Sequence, residues 1–154
     1  MKTVLITGGA GFIGSAFTHH IYNRYPEYRI IVVDCLTYAG AVENLPVRVW
    51  KDNDERFVFW YGNVINGELM DTLVSQCDVI VHVTRSIYDN TQFFRTDVLG
   101  TQAVANAVCK YKGQVERFIH ISTSEVYGTA LSEKMDEAHP LNPLSPYAAA
   151  KAGA

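Results

Sequence analysis

The chain has 154 residues, of which 48% are hydrophobic and 19% are charged, and this composition is typical of a globular protein with a hydrophobic core. Its 13 Lys and Arg against 16 Asp and Glu give a formal charge of -3 without a basic block, which argues against a nucleic-acid partner. No apolar run approaches the roughly 18 residues that a transmembrane helix needs, so we expect no membrane partner.

Short β-branched runs alternate with longer amphipathic segments along the whole chain, which is the pattern of βαβ units on a parallel sheet. The predicted strands are Thr3–Thr7, Arg29–Asp34, Phe57–Tyr61, Val79–His82 and Arg117–Ser122. The predicted helices are Phe12–Arg24, Gly67–Ser75, Thr91–Tyr111 and a final one that begins near Pro146 with Ser145 as its cap. Because the chain stops at Ala154, shortly after that start, we expect it to be the front part of a longer protein.

The cysteines favour a reducing environment. Cys35, Cys77 and Cys109 are odd in number and have no C-x-x-C spacing, so the sequence predicts neither a disulfide framework nor a zinc site. We therefore expect a cytoplasmic protein without a bound metal.

A glycine-rich turn follows the first predicted strand directly. Gly8 would permit the tight turn, Gly11 would let the backbone approach a pyrophosphate, and Gly14 would let the helix pack closely. The second strand ends in Asp34, about 20 residues beyond the last glycine, where a carboxylate accepts hydrogen bonds from an adenosine ribose. Since a carboxylate there repels a 2′-phosphate, the arrangement predicts NAD rather than NADP. The plainer alternative is a structural turn with an acid that merely ends a strand.

Tyr147 and Lys151 stand four residues apart in the last predicted helix, so their side chains share one helical face. An ammonium one turn away stabilises a phenolate, and such a pair can take a proton from a hydroxyl as a hydride leaves the carbon. By itself this spacing is common on solvated helices. Behind a dinucleotide-binding fold, we interpret it as a proton-transfer pair.

The remaining polar positions allow two interpretations. The segment Ser122–Gly128 lies where open α/β sheets bind their ligands, but it also fits a strand-to-loop turn rich in hydroxyls. We expect His82 and His120 to be satisfied interior histidines, and His19 and His20 to lie on a helix surface. The aromatic strand Phe57–Tyr61 is predicted to be core rather than a stacking platform for bases.

Four segments together resemble a known family. They are Thr7–Gly14, Asp34–Gly40, Ser122–Gly128 and Ser145–Lys151. With them the chain resembles the extended short-chain dehydrogenase/reductases, namely the NAD-dependent nucleotide-sugar epimerases and dehydratases. The stretch from Leu36 to Gly40 is most similar to the hexose 4,6-dehydratase branch.

The resemblance implies a role for individual residues. The adenosine half of NAD would be held by the glycine turn and by the segment that begins at Asp34; these residues are Gly8, Gly11, Phe12, Ile13, Gly14, Asp34, Leu36, Thr37 and Gly40. The adenine would lie beside Asn63 and Val64, which follow the third strand. Tyr147 and Lys151 would serve the nicotinamide half. Tyr147 would take the proton from the sugar 4-hydroxyl, Thr123 would hydrogen-bond the same oxygen, and Glu125 would remove the C5 proton before water leaves C6.

Three positions depart from the family pattern. Ser124 stands where enzymes acting on dTDP-glucose usually carry an Asp that protonates the departing hydroxyl, so the final reaction stays open. Asp97 stands where the family usually has Asn, which affects a structural hydrogen bond. His82 runs directly into Val83, so about half a dozen residues that normally border the cofactor are absent, although a loop this short is physically acceptable.

The sequence thus predicts an α/β fold, a Rossmann-type doubly wound parallel sheet with helices on both faces, formed by a single NAD-binding domain over residues 1–154 without the C-terminal substrate-binding part. The expected function is an NAD-dependent nucleotide-sugar 4,6-dehydratase acting on a nucleoside-diphosphate sugar. Alternatives are a 4-epimerase, a decarboxylase, or a non-catalytic dinucleotide-binding module. The helix Thr91–Tyr111 would form a homodimer surface, although a core role fits it equally well.

Overall fold

The computed structural model describes residues 1–49, 52, 54–84 and 90–154. The strands are β1 (Thr3–Thr7), β2 (Arg29–Asp34), β3 (Phe57–Tyr61), β4 (Val79–His82) and β5 (Arg117–His120). The helices are α1 (Phe12–Arg24), α2 (Gly67–Val74), α3 (Asn90–Phe93), α4 (Thr101–Lys110) and α5 (Pro146–Gly153), with a π-helical segment at Phe94–Gly100 and 3₁₀ turns at Val42–Asn44 and Ser124–Tyr127.

The five strands form one parallel sheet in the order β3-β2-β1-β4-β5. The strand order reverses between β1 and β4: β2 and β3 follow β1 on one side of it, and β4 and β5 lie on its other side. In open α/β sheets, ligands bind at the carboxyl ends of the strands next to this reversal. This arrangement confirms the predicted doubly wound α/β fold.

Both faces of the sheet are covered, because neighbouring residues of a strand point to opposite sides. Leu5 of β1 packs with the buried faces of α2 and α4, including Met70 and Val104. Its neighbour Ile6 belongs to the opposite core, against which Phe17 of α1 packs. The central strands therefore read as nearly continuous apolar runs in the sequence.

The predicted helix Thr91–Tyr111 is not a single regular α-helix. It consists of α3, the π-helical segment and α4 in succession. A π-helix wraps one extra residue into a turn, which the 3.6-residue periodicity of the sequence does not reveal. Within this segment Asp97 is fully buried, while Phe94 and Leu99 are about half exposed.

Other predicted boundaries move by one or two residues. Strand β5 ends at His120 instead of Ser122, since its partner β4 ends opposite it at His82. Helix α2 ends at Val74, one residue earlier than expected. Helix α5 begins at Pro146, and the Ser145 hydroxyl accepts the Ala148 N–H at 3.0 Å, as the capping pattern predicts.

The prediction that the aromatic strand β3 lies in the core is wrong for its second half. Phe57 is buried, but Trp60 is 42% and Tyr61 70% exposed. The strand order places β3 at the edge of the sheet, with β2 on one side and no further described strand on the other. None of the described helices is both long and apolar enough to span a membrane.

Candidate functional site

The turn between β1 and α1 requires glycine at two positions. Gly8 has a φ of +63°, and a Cβ there would lie 2.5 Å from the Val83 carbonyl oxygen. A Cβ on Gly14 would lie only 2.0 Å from the Gly8 carbonyl oxygen, so α1 begins in direct contact with the turn. Helix α1 has no side-chain cap, which leaves its first amide groups available to an anion.

The Asp34 carboxylate closes the other side of this turn. Its Oδ2 accepts the Ala10 N–H at 3.0 Å and its Oδ1 accepts the Leu36 N–H at 2.9 Å. Leu36 has a φ of +47°, a left-handed conformation that this hydrogen bond supports. Because Asp34 is only 8% exposed and fixed by two backbone amides, its free lone pairs have a defined direction.

A cavity at the carboxyl ends of β1 and β2 collects most of the residues predicted to bind a dinucleotide. Those lining it are Gly8, Gly11, Phe12, Ile13, Gly14, Asp34, Thr37, Gly40, Asn63 and Val64. Of the predicted cofactor-binding residues, Leu36, Tyr147 and Lys151 do not line the described part of this cavity. Leu36 packs partly against the core instead. A glycine-lined turn, an uncapped helix start and a fixed carboxylate fit a dinucleotide with a free 2′-hydroxyl.

The cavity also has lining residues that the sequence did not single out. These are Val33, Cys35, Ala39, Gly62, Val83, Thr84 and Thr96. Thr84 is the most informative, because it follows β4 at the reversal of strand order and its hydroxyl accepts the Lys151 ammonium at 2.9 Å. The position of Thr84 two residues after a predicted strand was a usable signal, since the carboxyl ends of parallel strands meet at one edge.

Lys151 is buried beside this cavity, with an exposed fraction of 5%. Its ammonium donates to the Ile121 carbonyl oxygen at 2.8 Å and lies 4.0 Å from the Asp97 carboxylate. Burial lowers the pKa of Lys151, and the charge of Asp97 opposes that shift. The alternative, in which Lys151 is an ordinary solvated helix residue, is therefore excluded.

Asp97 is the most unusual polar group of the site. It is fully buried, and neither carboxylate oxygen has a hydrogen-bond partner among the described residues. Burial raises the pKa of Asp97, while the nearby Thr84 hydroxyl and the Lys151 charge act in the opposite direction. The sequence flagged this position only as a departure from the family pattern and did not connect it with Lys151.

The segment after β5 presents the other predicted catalytic side chains. Thr123 is half-buried and its hydroxyl oxygen accepts the Glu125 N–H at 3.3 Å, which starts the 3₁₀ turn. Ser124 and Glu125 are exposed, and Tyr147 of α5 is half-buried. Helix α5 packs against this turn, so the structure brings these residues to one edge of the sheet, although none of them lines the described part of the cavity.

Four of the five histidines had a predicted position, and the structure tests each of them. His19 and His20 are exposed on α1, as predicted. His82 is fully buried and its ring nitrogens pair with the hydroxyls of Thr7 at 2.8 Å and Thr101 at 3.0 Å, which confirms a satisfied interior histidine.

For His120 the prediction of a satisfied interior histidine is wrong. It is half-buried, and neither ring nitrogen has a hydrogen-bond partner among the described residues. Strand β5 is the outer strand beside β4, so no further strand supplies a partner on that side. Burial and the Lys151 charge lower the pKa of His120.

Two further sequence predictions concern metals and the loop after β4. No cluster of three or more metal-ligating side chains exists among residues 1–49, 52, 54–84 and 90–154. The shortened connection that begins at His82 and Val83 continues into residues 85–89, which lie outside the described part of the chain.

The fold and the cavity define a Rossmann-type dinucleotide-binding domain. The family model described as GDP-mannose 4,6 dehydratase matches residues 5–154. A dTDP-glucose 4,6-dehydratase from Streptomyces antibioticus is 40% identical over 160 aligned positions, which cover 97% of this chain and 45% of that protein. The chain therefore belongs to the GDP-mannose 4,6 dehydratase family, which confirms the resemblance found in the sequence.

Solved structures agree with this assignment. A dTDP-glucose 4,6-dehydratase from Bacillus anthracis in complex with NAD aligns with a TM-score of 0.85 at 36% identity, covering 99% of this chain and 48% of that one. A UDP-glucose 4-epimerase from Thermotoga maritima with UDP-glucose aligns at 0.80 and 28% identity, covering 97% and 48%. The chain thus spans about half the length of the relatives it matches.

Proposed function

We propose that this chain is the NAD-binding domain, residues 1–154, of a nucleotide-sugar 4,6-dehydratase. The observation that carries the proposal is the cavity in which the glycine turn and the fixed Asp34 carboxylate meet, because Thr84 connects that cavity to the buried Lys151 ammonium. The part of the relatives that these 154 residues do not cover would supply most of the contacts to the nucleoside-diphosphate sugar.

The chain's own residues would bind NAD in an extended pose across the sheet edge. The amides at the start of α1 would face the pyrophosphate, and Asp34 would accept the ribose hydroxyls. Thr37 and Gly40, which line the cavity, would border the ribose, with Asn63 and Val64 beside the adenine. Leu36, whose N–H donates to Asp34, would shape the turn next to the ribose. When bound, NAD would supply a hydride acceptor for the sugar C4 and, once water has left, the hydride donor for C6.

Tyr147 and Lys151 of α5 would carry out the proton transfer. The Tyr147 hydroxyl would take the proton from the sugar 4-hydroxyl, while Thr123 would hydrogen-bond the same oxygen. The buried Lys151 ammonium, held by Ile121 and Thr84, would favour the phenolate form of Tyr147 through its charge. Because Lys151 and Tyr147 lie on the same helix, the ammonium would stay at a constant distance from the Tyr147 oxygen.

Glu125 would act after C4 oxidation. A ketone at C4 acidifies the C5 proton, and an exposed carboxylate at the carboxyl end of β5 is available as the general base. Ser124 would lie by the departing 6-hydroxyl, where its hydroxyl can hydrogen-bond but is a poor proton donor.

A second candidate is a nucleotide-sugar 4-epimerase. It is favoured by the likeness to the Thermotoga maritima UDP-glucose 4-epimerase and by the absence of an acidic residue at position 124. Both candidates share the C4 oxidation and therefore the same roles for Tyr147 and Lys151.

The proposal also covers the oligomeric state of the protein and its location in the cell. The half-exposed Phe94 and Leu99 of the π-helical segment would contribute to a homodimer surface, which light scattering on the full-length protein checks. The odd number of cysteines and the lack of C-x-x-C spacing among Cys35, Cys77 and Cys109 fit a reducing, cytoplasmic setting.

The test is conversion of dTDP-glucose, UDP-glucose and GDP-mannose by the full-length protein in heavy water. A dehydratase gives a product lighter by one water with deuterium at C5, whereas an epimerase inverts C4 and retains the water. Tyr147→Phe should lose at least 100-fold in kcat with either reaction. The matched control is Tyr25→Phe at the carboxyl end of α1, which should keep wild-type turnover; equal turnover in Tyr147→Phe would exclude the proposed base.

A further inference from the structure

The buried carboxyl of Asp97 has no assigned role in the proposed reaction. It lies on the π-helical segment, which packs against α5, and it is fully shielded from solvent. An ionised carboxylate is costly to bury unless an opposite charge lies close by. The Lys151 ammonium, 4.0 Å away, is such a charge.

The buried Lys151 ammonium in turn requires an anion close by. Two of its three N–H groups donate to Ile121 and Thr84, which are both neutral acceptors. Within the described part of the chain, the charged or titratable groups that face it from other elements are Asp97, His82 of β4 and His120 of β5. Burial lowers the pKa of both histidines, so each is neutral near pH 7. Among the described residues, Asp97 is thus the one anion facing this ammonium.

We propose that Asp97 is the counter-ion of Lys151 and a positioning residue for the reaction. Its carboxylate keeps Lys151 protonated inside the protein and draws the ammonium toward the end of the cavity where Thr84 lies. Asp97 acts through Lys151 and does not touch substrate or cofactor. The consequence for catalysis rests on the proposed function, whereas the ion pair itself can be tested without turnover.

The first experiment titrates Lys151 directly in full-length protein labelled with [¹³Cε]lysine, with its resonance assigned from Lys151→Arg. In Asp97→Asn, which keeps the side-chain shape but removes the charge, the titration midpoint of Lys151 should move to lower pH. The control Asp71→Asn removes a carboxylate from the surface of α2 and should leave the midpoint in place. An unchanged midpoint in Asp97→Asn overturns the proposal.

A reciprocal measurement covers the case in which Asp97→Asn does not fold. The ¹³Cγ resonance of Asp97 is titrated in the wild type and in Lys151→Met. Removal of the ammonium should move the Asp97 midpoint to higher pH, since the buried carboxylate loses its counter-ion. Identical midpoints in the two proteins would refute the pairing.

Turnover supplies a third readout if the proposed function holds. Removing a negative charge lowers the pKa of every titrating neighbour, so both limbs of the pH profile of kcat should move to lower pH in Asp97→Asn. A packing role alone would lower kcat without moving the limbs. Absence of turnover in the wild type would refute the proposed function, while the two NMR titrations would still decide on the ion pair.

Discussion

Substitution of Gly14 by alanine tests the tight contact between α1 and the glycine turn. The new Cβ would lie 2.0 Å from the Gly8 carbonyl oxygen, 2.8 Å from the Gly8 carbonyl carbon and 2.9 Å from Gly9 Cα. All three are backbone atoms, so no side-chain rotation relieves the overlap. The start of α1 must move by about 1 Å before the shortest contact becomes acceptable.

The magnitude follows from that displacement. Overpacking of this kind costs about 1–3 kcal/mol, which corresponds to a fall in melting temperature of roughly 2–12 °C for a domain of this size. A shift of about 1 Å also exceeds the tolerance of a hydrogen bond. Loss of one charge-assisted bond to the pyrophosphate, worth about 1.5–3 kcal/mol, weakens NAD binding by roughly 10- to 100-fold.

The assay combines calorimetric titration with NAD and thermal unfolding of full-length protein. The matched control is Gly67→Ala at the start of α2, where a Cβ meets nothing within 4 Å. This control should keep its NAD affinity and gain up to about 1 kcal/mol of stability, because alanine is the better helix former. Wild-type NAD affinity and melting temperature in Gly14→Ala would refute the reasoning.

Two further predictions concern Asp34 and His82. Asp34→Ala leaves the Ala10 and Leu36 amides without their acceptor. Titration calorimetry should therefore show NAD binding at least about tenfold weaker, and a smaller preference for NAD over NADP. An unchanged preference would contradict the role of Asp34. Burial, together with the charges of His120 and Lys151, lowers the pKa of His82 to about 3. In the unfolded chain this histidine binds a proton below about pH 6.5, whereas in the folded protein it stays neutral down to about pH 3. Protonation therefore favours the unfolded state, and the free energy of unfolding declines as the pH falls from about 6.5 toward 3. Urea unfolding should therefore show about 2 kcal/mol less stability at pH 5 than at pH 7 from this group, and His82→Asn should remove that part of the slope.

Local patterns explain why much of the fold could be predicted. Strand β1, the turn at Gly8, the acid Asp34 and the Ser145 cap all depend on residues within a few positions of each other. Backbone sterics and hydrogen bonding over such short spans are set by residue type, so periodicity and spacing identify them. The alternation of strands and helices then limits the topology to a parallel sheet.

The errors occur where neighbours come from distant parts of the chain. Trp60 and Tyr61 have the composition of core residues, yet they are exposed because β3 lies at the edge of the sheet. His120 and His82 occupy matched register positions on adjacent strands, but only His82 meets hydroxyls on both sides. Strand order and the covering helices decide such differences, and neither is encoded in the local pattern.

The sequence by itself therefore determined the class of fold, the glycine turn with its acid, and the helix that carries Tyr147 and Lys151. Only the tertiary structure decided that Lys151 is buried, that Thr84 links it to the cavity, and that Asp97 is the carboxylate opposite it. The physical reason is that spacing along a helix or strand fixes which face a side chain occupies, whereas its charge environment depends on which elements pack against that face.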